Sequence, residues 1–141
     1  MISNGRAGSI PAPSTVLYLT FIMNRISLDV AKEAVALGIL EVLHVSPSDA
    51  PLDPAYCFEK LPDSDLVAVY PLPYQESLRQ MLFATTGLFV AVTMDHRYAS
   101  GYFYWELFNH GSLLSYSGVR FFDCYDDALA DGLQEAFRLL K

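Results

Sequence analysis

The chain has 141 residues, a formal net charge of −7, and 52% hydrophobic beside only 18% charged residues. Its length suits one domain whose core needs neither metal nor disulfide. Its acidity, −4 over residues 1–71 and −3 over 72–141, argues against nucleic acid and anionic membrane as partners.

Residues 1–14, with Gly5, Gly8, Pro11 and Pro13 among small polar residues, lack the apolar surface to order themselves and read as a flexible tail before a single α+β domain over 15–141. They contain no apolar h-region, so no secretory signal is expected; with only Cys57 and Cys124, this points to the cytoplasm. The apolar run 16–23 is far shorter than the ~20 residues of a spanning helix, and 15–23 reads as a buried strand. Ser27 is placed to cap a helix over Leu28, Val30, Ala31, Ala34, Val35 and Leu37, ended by Gly38. A strand is expected over 39–45. Residues 46–65, with Pro47, Pro51, Pro54 and Pro62 among four aspartates, read as one long polar loop, and 66–70 as a short strand.

In the second half, Tyr74, Leu78, Met81, Leu82 and Thr85 fit one helical stripe, with Pro73 in the first turn and Gly87 at the end. Strands over 88–94, 102–108 and 112–116 follow, the last two joined by a turn at Asn109, His110 and Gly111. Alternation puts Phe103, Trp105 and Leu107 on one face of the middle strand, and Tyr102, Tyr104, Glu106 and Phe108 on the other. The last helix is expected from near Cys124, capped by Asp123 with Asp126 reaching back. Its stripe is Tyr125, Ala128, Leu129, Gly132, Leu133, Ala136, Phe137 and Leu140. Gly132 on that stripe costs about 1 kcal/mol relative to alanine, which marks a close approach of the helix backbone to a sheet. The fold class is therefore α+β: an antiparallel sheet with helices mainly on one face and a C-terminal α-β-β-β-α unit.

From Tyr74 and Gln75 through Trp105 to Phe122, Asp123, Tyr125, Asp126, Asp127, Ala128, Leu129, Gly132, Leu133, Glu135, Ala136, Leu139 and Lys141, the chain resembles a set of small proteins of gut bacteria and their phages. Their last helix reads F-D-x-Y-E-E-A-L-x-x-G-L-x-E-A-L-x-L-I-K, and this chain departs from it with Asp126 and Asp127 for the two glutamates. The resemblance spans the second half of the chain. It implies a bacterial or phage origin and no particular activity, cofactor or site. The order α-β-β-β-α is also similar to that of the double-stranded RNA-binding domain, whose last helix offers lysines to phosphates. Here Asp123, Asp126 and Asp127 occupy that turn, which opposes duplex binding.

His44, His96 and His110 stand far apart, without His-x-x-x-His or Cys-x-x-Cys spacing, so neither metal nor cofactor is expected. Asp49, Asp53, Asp63 and Asp65 lack the alternation and closing glutamate of a calcium loop. Cys57 or Cys124 beside His96, oriented by Asp95, is the best nucleophile the chain could assemble; nothing in the sequence brings them together, and no catalytic residue is assigned. No glycine-rich phosphate motif occurs.

The aromatic strand is the stronger lead. If helices cover Phe103, Trp105 and Leu107, then Tyr102, Tyr104 and Phe108, with Tyr116 from the neighbouring strand, lie on the other sheet face. Either the N-terminal half covers that face or a protein partner does, since tyrosine is enriched at interface centres. Stacked bases would need accompanying cations. The expected function is a non-enzymatic protein-binding accessory factor that modulates a host system and forms a homodimer through its sheet. The alternative is a small-molecule-binding protein or minor enzyme, with a pocket between sheet and the 46–65 loop that uses His44, Cys57 or His96.

Overall fold

A computed structural model describes residues 24–95 and 102–141. The tail over 1–14, the strand expected over 15–23, and His96 lie outside them.

Helix α1 (Leu28–Ala36) begins where the Ser27 hydroxyl accepts the Val30 amide at 3.3 Å. Past its end, Gly38 takes φ +78°, and the Ile39 and Leu40 amides both turn back to the Ala34 carbonyl. This reversal buries Ile39 and Leu40 in the core. Only Leu43–Val45 (β1) is therefore strand, a shorter element than the one expected over 39–45.

The 46–65 segment is not one loop. It holds a short 3₁₀ turn at Pro47–Asp49 and a five-residue strand, Tyr56–Lys60 (β2). Pro51 and Pro54 precede that strand and Pro62 follows it, so none removes a ladder donor from it. With Val67–Pro71 (β3), one residue displaced from the expected 66–70, these strands form an antiparallel sheet of order β1-β3-β2. α1 covers one face of it, where Lys32 meets Glu59 at 2.6 Å and lies over the Tyr70 ring.

Helix α2 (Gln75–Thr86) starts after Tyr74, which makes no side-chain cap bond, and ends at Gly87 with φ +80°. Pro73 thus precedes the cap instead of entering the first turn. Leu78 and Leu82 are buried, while Met81 and Thr85, expected on the same stripe, are exposed. The reason is position: α2 runs beside strand β4 (Leu88–Asp95), and it turns Arg79 and Phe83 toward the sheet edge. Arg79 donates to the Val90 carbonyl at 3.1 Å, pairs with Glu76 at 2.6 Å and lies over the Phe89 ring. That edge of the sheet is guarded.

Strands β4, β5 (Tyr102–Asn109) and β6 (Ser112–Tyr116) form the second antiparallel sheet in that order. The turn at His110, φ +49°, is the expected one. Helix α3 (Tyr125–Leu140) packs on β4 and β5 through Ala128, Leu129, Gly132, Leu133, Ala136 and Phe137, all buried as the stripe requires. A Cβ on Gly132 would stand 2.5 Å from Val90 Cγ1 and 3.1 Å from Trp105 Cγ, so glycine lets the helix backbone reach the sheet. The expected cap is corrected: Cys124 is the N-cap, without a side-chain bond, and Asp123 is exposed before it. The Trp105 indole donates to Asp131 at 2.7 Å and Arg120 pairs with the same carboxylate at 2.9 Å, which ties α3 to the sheet and to the segment after β6.

Candidate functional site

The β4–β5–β6 sheet has unlike faces. Val90, Trp105 and Leu107 point toward α3 and are buried. The cross-strand register places Phe89 opposite Phe108, Thr93 opposite Tyr104, Asp95 opposite Tyr102, and Tyr116 opposite Glu106, all on the other face. Of the four residues the sequence singles out, Tyr116 is 60% exposed, while Tyr102, Tyr104 and Phe108 are half-buried.

For Tyr102 and Tyr104 the partial burial has a local cause that alternation along β5 does not show. After β6, Gly118 at φ +71° starts a short excursion of the chain, and Phe122 returns to bridge Phe103 through two backbone bonds of 2.8 Å. Phe122 and its neighbour Phe121 therefore serve opposite faces. Phe122 packs against the core, and the Phe121 ring sits 6.1 Å from Tyr102 and 6.4 Å from Tyr104. The signal was the Phe121–Phe122 pair itself, because adjacent residues of an extended segment point to opposite sides. Arg120, held by Asp131 on the helix side, fixes the segment that carries Phe121 outward.

Together Thr93, Met94, Asp95, Tyr104, Tyr116, Gly118 and Phe121 line an open groove of about 550 Å³. No residue from 24–71 lines it, for that part of the chain builds the other sheet instead. The groove offers apolar ring surface, the tyrosine hydroxyls and the Thr93 hydroxyl: a surface for contact and hydrogen bonding. Glu106 adds a carboxylate on this face, between Tyr104 and Phe108.

Of the residues of the alternative pocket, His96 lies outside the described residues, and His44 and Cys57 stand on different strands. His44 lies on β1, opposite Ala68 of β3; Cys57 lies on β2, opposite Tyr70, so β3 runs between them. The cavity beside this sheet, about 180 Å³ and lined by Glu41, Leu43, Tyr56, Val69 and Pro71, belongs to the face away from α1. Both cysteines are free thiols, and burial pushes Cys124 above its ordinary value. Among the described residues no cluster of three or more His, Cys, Asp or Glu side chains could hold a metal ion, and no helix is long and apolar enough to cross a membrane.

No protein family, curated protein or solved structure matches this chain. What the fold defines is its class: an α+β protein with, among the described residues, two antiparallel three-stranded sheets, and a C-terminal α-β-β-β-α unit that carries the groove.

Proposed function

We propose that this protein is a non-enzymatic binding module that docks a protein partner on the outer face of its β4–β5–β6 sheet. The observation that carries the reading is the groove edged by Tyr104, Tyr116 and Phe121, on the face opposite the one α3 covers. Rigid aromatic side chains with a polar tip give large contact area at small entropic cost, which suits interface centres. The resemblance of the second half to proteins of gut bacteria and their phages supports an accessory role in such a setting, one that modulates a host system. The free thiols of Cys57 and Cys124 support action in the reducing cytoplasm.

The test is a pull-down from host lysate with wild type, Tyr104→Arg and Tyr116→Arg as baits, with circular dichroism to check that each is folded. A protein retained in stoichiometric amount by wild type and lost by both variants is the expected result. Retention unchanged in both variants, or a folded wild-type bait that holds nothing, rejects the reading.

A further inference from the structure

Glu106 carries the only charge on β5, the central strand, and it stands at the middle of the outer face. Tyr104 and Phe108 flank it along the strand, Ala91 lies across from it on β4 and Tyr116 across from it on β6. The Ser117 amide bonds to the Trp105 carbonyl at 3.0 Å, so by antiparallel alternation Glu106 and Tyr116 form a non-hydrogen-bonded pair, the kind whose side chains come closest. On the other flank Ala91 is small and leaves room above the sheet. Glu106 is half-buried, and among the described residues no lysine or arginine pairs with its carboxylate. A carboxylate set among aromatic rings costs free energy unless a cation meets it.

Elsewhere in the fold such a cation is met three times in one arrangement, over a ring and paired with a carboxylate. Arg79 lies 5.0 Å over the Phe89 ring and pairs with Glu76 at 2.6 Å. Arg120 lies 5.8 Å over Phe122 and pairs with Asp131 at 2.9 Å; Lys32 lies 5.8 Å over Tyr70 and pairs with Glu59 at 2.6 Å. The ring attracts the cation and the carboxylate takes its hydrogen bond. On the outer face this chain supplies two of the three parts, the Glu106 carboxylate and the Tyr104 and Tyr116 rings beside it. We propose that the third comes from the partner: the outer face receives an arginine, whose guanidinium pairs with Glu106 and stacks on the tyrosine rings. Arginine suits the place better than lysine, because its planar, weakly hydrated head stacks on a ring and forks onto a carboxylate, where an ammonium is a compact, hydrated point charge. Tyr116 is 60% exposed, so its ring is open to such a contact, and the groove of about 550 Å³ beside it gives the stem of the side chain a path past Thr93 and Phe121. The net charge of −7 draws a basic segment toward the protein. The inference rests on the reading of this face as a partner surface and deepens it by naming the partner's chemistry.

The test is an NMR titration of the full chain with the capped peptide Gly-Arg-Gly, beside the same peptide with lysine and with citrulline, which keeps the shape of arginine without its charge. The arginine peptide should give saturable shifts at the amides of Tyr104, Glu106, Tyr116 and Phe121, the lysine peptide weaker ones, and the citrulline peptide none. Glu106→Gln should weaken the arginine peptide about tenfold, the worth of one charge-assisted bond, and Tyr116→Leu should weaken it as well. Both side chains are solvent-accessible and neither is tied to the core, so the variants are expected to fold, which their own spectra check. Absence of saturable shifts at these residues, equal shifts from arginine and citrulline, or an affinity indifferent to Glu106→Gln overturns the proposal. So do shifts at the same residues that grow with protein concentration alone, which would put a second copy on the face. The partner reading fails separately: a partner lost from the Tyr104→Arg bait but retained by Glu106→Gln rejects only the arginine, whereas a peptide that binds as expected to a bait that captures nothing rejects only the protein partner.

Discussion

Both sheets are three-stranded and antiparallel, and each has a helix on one face, yet they are built at different scales. In the β4–β5–β6 sheet, two eight-residue strands lie under the sixteen-residue α3, and Val90, Trp105, Leu107 and Phe137 vanish from solvent. In the β1–β3–β2 sheet no strand exceeds five residues, and the helix above it is nine residues long. Only the central strand is buried there, while Leu43 and Phe58, on flanking strands and on the face away from α1, remain 55% and 45% exposed. A long strand can bury one whole face under a helix. A short sheet protects its middle strand largely with its own edges, and its outer face stays half-open.

The comparison breaks most easily at Phe137. Its ring is fully buried under the larger sheet, and Phe137→Ala should cost about 3–5 kcal/mol in a urea titration. A loss below about 1 kcal/mol would mean that α3 does not hold the core, and that the two sheets are closer in weight than their burial suggests.

The same difference in scale explains what could be read from the sequence. The larger sheet was legible because eight-residue strands give several turns of alternation, and because α3 repeats its stripe over four turns; Gly132 stood out only because the stripe around it is so regular. The α+β class and the α-β-β-β-α order follow from these elements. β2 was not legible. Five residues among prolines and aspartates alternate just twice, and the polar neighbourhood of Tyr56-Cys57-Phe58 outweighed them. Ile39 and Leu40 look like strand residues but are the buried tail of α1, an outcome decided by the left-handed Gly38. Within the groove, Tyr104 and Tyr116 came from alternation, whereas for Phe121 the one signal was the Phe121–Phe122 pair, too short to show on its own that the segment is extended and returns to β5.

A smaller effect separates the sheets by their ionisable anchors. The Tyr125 hydroxyl donates to Glu76 at 2.5 Å and links α3 to α2 over the larger sheet. Burial, and then this bond to Glu76, push its pKa up from 10.0 to about 12. Folding therefore favours the neutral phenol, and its contribution is complete below pH 10.0 and lost as pH rises toward about 12. Lys32, which anchors α1 to the smaller sheet through Glu59, also has its pKa raised, chiefly by that hydrogen bond, so it too loses its contribution in alkali. Tyr125→Phe should lower stability near neutrality by about 1 kcal/mol and flatten only part of the alkaline decline. If the decline is unchanged, the phenol is not linked to folding, and the anchor of the larger sheet lies elsewhere.

The smallest expected effect sharpens the comparison at its weakest point. Phe58 stands on the open face of the smaller sheet, opposite Val69 in the register. If that face is as loosely held as its exposure indicates, Phe58→Lys should shift the unfolding free energy by no more than about 0.5 kcal/mol, the usual range for surface sites. Lysine keeps an alkyl stem along Val69 while its ammonium reaches water, so most of the contact survives the exchange. A loss several times larger, measured in the same urea titration as Phe137→Ala, would show that the outer face of the smaller sheet is packed against something in solution, and the two sheets would then differ in length alone.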